Sequence, residues 1–138
     1  MPHQDDCQPS ASDALLGINE AVELTGISAF TIRYYDKCGF FPNLLRGKRG
    51  VRSFKPSDVK QLKLVDALRR SGLSIEGIRY FVKLSKRGEE TIADRLAIIQ
   101  TQTTSLEYQI AEAQESLKLL REELASLNIE EENESIRD

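Results

Sequence analysis

Near the C-terminal end, Ile92, Leu96, Ile99, Thr103, Leu106, Ile110, Ala113, Leu117, Leu120, Leu124 and Leu127 follow one another at alternating spacings of four and three. That is a 3.5-residue repeat held for five heptads, the pattern of a coiled-coil seam. The run covers 36 residues without Gly or Pro, roughly 54 Å of helix at 1.5 Å per residue. Only 91 residues precede it, too few to bury every side of such a rod, so its apolar stripe needs a partner. A second copy of the chain is the economical one. A helix folded back on its own domain is the alternative, and it could cover only part of the length. Thr103 and Ala113 narrow the seam and can set its register.

The rest of the chain is organised by charge. Residues 1–27 hold five acids and no Lys or Arg. Residues 28–87 hold fifteen Lys/Arg against four Asp/Glu, a net of +11, and residues 88–138 hold four against thirteen, a net of −9. The overall −3 therefore conceals a strongly basic block, which attracts polyanions whatever the acidic end does. A merely solvated surface usually mixes both signs.

Composition removes several functions. Two Cys (Cys7 and Cys38), one His (His3) and no Trp argue against a disulfide framework, most zinc sites and His-based catalysis. No window is apolar enough to span a membrane, and the first thirteen residues lack the basic start of a secretory signal, so a cytoplasmic protein is expected.

The tail to about Ala14 is polar and aperiodic and reads as disordered. Asn19 is a candidate N-cap for a short helix through Leu24, after which Gly26 breaks the chain. Ser28 caps a second helix, with Ile27 and Ile32 as a hydrophobic staple, running to about Cys38 and stopped by Gly39. Two short helices around a Gly-bearing turn form a helix-turn-helix pattern. Between Phe40 and Lys55 a small hairpin fits, with its tip at Arg46-Gly47-Lys48-Arg49-Gly50. Ser57 is a candidate cap for a helix to Arg70 burying Val59, Leu62, Val65 and Leu68. Ser74 is a cap for another through Leu84, burying Ile75, Ile78 and Phe81. Nothing local accounts for Gly77, which costs that helix about 1 kcal/mol relative to Ala. The Glu130-Glu131-Glu132-Asn133-Glu134 run reads as a frayed acidic tail.

On the second helix Phe30, Arg33, Tyr34 and Lys37 lie at i, i+3, i+4 and i+7, a single stripe. Two cations are poor core residues, so this stripe suits a DNA major groove, with Phe30 able to meet a thymine methyl and Arg33 a phosphate or guanine. Ile32 is the core candidate. The Tyr34 and Tyr35 hydroxyls can bond phosphate oxygens, although burial of Tyr35 is an equal alternative. Arg46, Lys48, Arg49 and Arg52 add a second grip on the backbone.

The runs Ile18-Asn19-Glu20-Ala21, Thr25-Gly26-Ile27-Ser28 and Thr31-Ile32-Arg33-Tyr34-Tyr35-Asp36-Lys37 resemble the start of the MerR family of bacterial transcription regulators. The likeness continues through Gly50-Val51-Arg52-Ser53-Phe54, Ser57-Asp58-Val59 and Leu68-Arg69-Arg70-Ser71-Gly72-Leu73-Ser74-Ile75, and extends to about residue 127. It implies a mainly α chain. A winged helix-turn-helix head (15–87) with a small β-hairpin wing would follow the tail (1–14). A helix over 88–128 would form an antiparallel coiled-coil dimer through the seam, with an acidic tail over 129–138. It further implies DNA contacts by Ser28, Phe30, Thr31, Arg33, Tyr34, Tyr35, Lys37 and the wing residues Arg46, Lys48, Arg49 and Arg52. Double-stranded promoter DNA, a second copy of the chain and RNA polymerase are the implied partners, and the implied mode of action is distortion of the promoter. The chain departs from the family at Val51 and Phe54, where tyrosines are usual, and resembles its short branch without a large effector domain.

Metal-sensing relatives place Cys ligands beyond the long helix, and here neither Cys nor His follows Cys38, so no metal or other cofactor is expected. Some short relatives answer electrophiles or oxidants through a cysteine, which makes Cys38 a candidate sensor beside its plainer reading as a packed residue. The competing function is a coiled-coil module whose basic head serves an acidic protein. An enzyme is a distant third, since no catalytic constellation is present.

Overall fold

Leu16 enters the described part of the chain already paired: its N–H and C=O exchange hydrogen bonds of 2.9 and 2.8 Å with Phe54. In the computed structural model, which describes residues 15–137, this bridge holds the backbone extended up to the first helix. Helix α1 (Ile18–Thr25) accordingly starts at an extended Gly17 and not at Asn19, the residue a local capping argument selects. The tertiary bridge outranks the local cap. The tail at 1–14 lies outside the described residues.

Gly26, at φ 73°, ends α1 in the left-handed region. Ser28 then caps α2 (Ala29–Lys37), its Oγ accepting the Thr31 N–H at 3.1 Å. The flanking Ile27 and Ile32 are both buried, as a hydrophobic staple requires.

The hairpin is shorter than the apolar flanks suggested. Strands β1 (Leu45–Arg46) and β2 (Arg52–Ser53) pair antiparallel, Leu45 opposite Ser53 and Arg46 opposite Arg52. Phe40, Phe41 and Leu44 are core residues of the approach to the hairpin. A 3-10 turn at Lys48–Gly50 makes the tip, with Arg49 in the left-handed region at φ 62°. So short a hairpin is held by what lies beneath it. Phe54 is fully buried and meets the Phe41 ring edge-on at 6.4 Å.

Helix α3 (Pro56–Arg70) begins two residues earlier than the Ser57 cap would place it, with Lys55 at the cap position. Pro56 takes the first helical position, where its missing N–H costs nothing, and the Asp58 carboxylate accepts the Lys55 N–H at 2.9 Å. Val59, Leu62, Val65 and Leu68 form its buried row, and α4 (Ile75–Arg87) answers with Ile78, Phe81, Val82 and Leu84. Ser74 caps α4 through the Gly77 N–H. A Cβ at Gly77 would stand 2.6 Å from Leu73 Cδ1 and 2.9 Å from its Cγ, which supplies the reason for glycine that the local sequence lacks. Gly77→Ala should therefore forgo the usual helix gain and lower stability by about 1 kcal/mol. Urea unfolding checks this, and a stabilised variant would refute the steric explanation.

A 3-10 turn at Gly88–Thr91 joins α4 to α5 (Ile92–Arg137), a single helix of 46 residues, about 69 Å long. The run at Glu130–Glu134 is therefore helical and not a frayed tail. Helix α5 lies against its own head through Ile98 and Ile99, which pack on the core. Around Ser71 it is also hydrogen-bonded: the serine Oγ donates to Gln102 Oε1 at 2.8 Å, while Ser105 Oγ and Gln109 Nε2 donate to its carbonyl at 2.8 and 3.1 Å. Of the seam, Ile99 and Leu106 are half-buried on the head. Every residue from 107 to 137 is exposed, including Ile110, Ala113, Leu117, Leu120, Leu124 and Leu127. Ile92, Leu96 and Thr103 are exposed as well.

Candidate nucleic-acid interface

Helix α2 is two-faced. Ile32, Tyr35 and Asp36 turn inward, and Phe30, Arg33, Tyr34 and Lys37 form an exposed row on the other side. Phe30 is the plainest case: a phenyl ring 79% exposed on a helix with an available core. A large apolar side chain left in water beside two cations marks a surface made to be covered by something anionic. Ser28 and Thr31 stand at the start of the helix, where their hydroxyls bond each other at 2.9 Å as part of the cap.

Tyr35 corrects one sequence expectation. It is buried, its ring stacked obliquely on Phe40 at 5.7 Å, and its hydroxyl donates to Asp66 Oδ1 at 2.9 Å. Burial first, then the hydrogen bond and charge of Asp66, push its pKa up to about 12. The helical period decides this: Tyr35 lies three residues after Ile32, on the core side. It is a core residue and leaves the candidate interface.

The wing stands next to α2 because of a residue that the charge pattern alone did not single out. Asp36, with a side chain only 4% exposed, accepts from Arg46 Nη2 at 2.7 and 2.8 Å and from Arg52 Nε at 2.6 Å. Burial by itself would raise the Asp36 pKa, but the hydrogen bonds and charges of Arg46 and Arg52 outweigh it and hold the carboxyl below the usual carboxylate range. Lys48 and Arg49 at the tip are exposed. The only available signal was indirect, an acid on the core side of α2 within a block containing four acids in all.

The lowered Asp36 pKa makes the clasp acid-sensitive. The folded head holds this carboxyl ionised to lower pH than the unfolded chain does. Its stabilisation is complete above about pH 3.9 and vanishes as pH falls through the depressed folded value. Thermal unfolding of wild type and Asp36→Asn from about pH 6 to about pH 2 should show a gap that closes at the acid end. A gap independent of pH would show that the carboxylate charge contributes nothing.

Cys38 caps α2 and is buried against the core; its carbonyl accepts Arg79 Nε at 2.9 Å. This is the packed arrangement, and Cys7 lies outside the described residues. Among the described residues no group of three or more His, Cys, Asp or Glu could hold a metal ion, and no helix is long and apolar enough to cross a membrane.

Comparison with known proteins agrees with this architecture. The family model described as MerR HTH family regulatory protein matches residues 16–84, and the one described as MerR, DNA binding matches residues 59–127. An uncharacterized HTH-type transcriptional regulator of Haemophilus influenzae is 40% identical over 77% of this chain and 78% of its own length. The crystal structure of HiNmlR, a MerR family regulator lacking the sensor domain, bound to promoter DNA, is similar with a TM-score of 0.75 at 38% identity, over 81% of this chain and 85% of that one. A MerR family regulator from Bacillus thuringiensis gives a TM-score of 0.74 at 29% identity, over 82% and 99%. With its helix-turn-helix, its wing and its long terminal helix all matched, the chain belongs to the MerR family of helix-turn-helix transcription regulators.

Proposed function

We propose that two copies of this chain join through the exposed face of α5 as an antiparallel coiled coil and grip a two-fold symmetric promoter operator in the cytoplasm, distorting the duplex so that RNA polymerase can engage it. The observation that carries this is the exposed row of α2, where Phe30, Arg33, Tyr34 and Lys37 share a face beside a cationic wing. Arg33 and Lys37 supply phosphate or guanine contacts, Phe30 an apolar contact with a thymine methyl, and Tyr34 a hydroxyl for the backbone. Lys48 and Arg49 carry the grip past the groove that α2 enters. Antiparallel pairing puts one head toward each end of the rod, so the protein's two-fold axis matches a palindrome. The similar HiNmlR is bound to promoter DNA, which supports DNA as the ligand.

The test is a salt titration of operator binding, with the operator recovered from genomic fragments selected by the protein itself. The logarithm of affinity should fall linearly with the logarithm of salt, by about 0.9 for each phosphate neutralised. Bending of the duplex, read from gel mobility with the site at different positions, reports the distortion. Binding indifferent to salt, or absent on every duplex, would refute the proposal and favour an acidic protein as the ligand of the basic head.

A further inference from the structure

The wing pairs two arginines directly across its strands, Arg46 opposite Arg52. Like charges at such a position repel, and a hairpin with two-residue strands has little to set against them. The structure places an anion between them, and that anion comes from the reading helix: Asp36 receives one guanidinium on both oxygens and the other on Oδ2. A buried carboxylate is costly unless it is fully paired, and its net contribution to stability is small. Its effect is geometric, because three short charge-assisted bonds fix where the wing stands relative to α2. Among the described residues, Arg46 Nε and Nη1 and both Nη groups of Arg52 have no acceptor, and the Arg46 side chain is 45% exposed.

We propose that Asp36 is a positioning residue for DNA recognition: from beneath the wing it aims the Arg46 and Arg52 guanidiniums as a pair at one stretch of phosphate backbone, in fixed register with the row on α2. This deepens the DNA-binding function above and rests on it. The clasp neutralises one cation per head and exchanges a little undirected attraction for orientation. A carboxylate serving only to moderate charge would have the opposite effect on operator affinity when removed, which makes the two roles separable.

The experiment compares wild type, Asp36→Asn and Asp36→Glu on the selected operator and on a scrambled duplex of equal length, each over a salt series. Asp36→Asn should lose about tenfold or more on the operator, while its affinity for the scrambled duplex holds or rises. Asp36→Glu, which restores the carboxylate, should recover most of the discrimination. Both duplexes tightening together in Asp36→Asn would overturn the proposal. Should Asp36→Asn fail to fold, single Gln substitutions at the four wing cations carry the test. Arg46→Gln and Arg52→Gln should reduce operator affinity more than scrambled affinity, whereas Lys48→Gln and Arg49→Gln should lower both equally. Four indistinguishable variants would overturn the proposal. Wild type binding neither duplex would refute the DNA-binding function itself, and the role of Asp36 with it.

Discussion

A chain carrying Leu117→Lys and Leu124→Lys should sediment as a monomer at micromolar concentration and lose operator binding. Both leucines lie on the part of α5 beyond its contact with the head, and both are exposed in the single chain. Burying one leucine contributes about 1.5–3 kcal/mol. The dimer holds four copies of these positions, so about 6–12 kcal/mol of association disappears before the cost of opposing lysines is added. A micromolar dimer is held by only about 8 kcal/mol in total. The head should fold unchanged, because no side chain after Leu106 is buried against it; far-UV circular dichroism checks this. A dimer that survives both substitutions would show that the seam is not the interface.

The second large effect is expected from Arg33→Ala. Arg33 is exposed on the α2 row and makes no hydrogen bond or ion pair among the described residues, so its removal should barely shift the melting temperature. On DNA the loss is counted twice, once for each head. A good arginine contact contributes about 1–3 kcal/mol, so the dimer should lose about 2–6 kcal/mol, or about thirtyfold and upward in operator affinity. If the arginine meets a base, discrimination between sequences falls too; if it meets phosphate, the loss is uniform and the salt slope shrinks by about one per head. Fluorescence anisotropy on operator and scrambled duplexes distinguishes the two. Affinity within threefold of wild type would remove Arg33 from the interface.

Much of this architecture could be read from short-range pattern. The Ser28 cap and its Ile27–Ile32 staple, the exposed row on α2, the buried row of α3 and the burial of Ile78 and Phe81 on α4 all follow from helical period and local hydrogen bonding. Ile75, by contrast, is only half-buried, and Val82 and Leu84 complete the α4 row. What escaped depends on residues brought together across the chain. Gly17 starts α1 because Phe54, far along the sequence, pins Leu16. The acceptor for the Tyr35 hydroxyl is Asp66, thirty-one residues away, and the wing is held by an acid ten residues from Arg46 and sixteen from Arg52. The acidic end of α5 escaped for another reason. The apolar seam stops at Leu127, but the segment after it is rich in glutamate and contains neither Gly nor Pro, so intrinsic preference carries the helix on where packing does not. Charge runs mark solvation and say little about whether the backbone beneath them is ordered.

The Ser71 knot has a consequence for which promoters can respond. With Gln102, Ser105 and Gln109 tying the rod to its own head beside the packing of Ile98 and Ile99, flexing where jaw meets handle would break these contacts, as in the arm of a pair of callipers. The gap between two such jaws is a fixed length and a fixed rotation. A site whose halves drift apart by a single base pair turns one half about the duplex axis by roughly a tenth of a revolution, and a stiff tool cannot follow. Either the tool lets go or the double helix twists to fit, and in that choice a rigid protein acquires leverage over DNA.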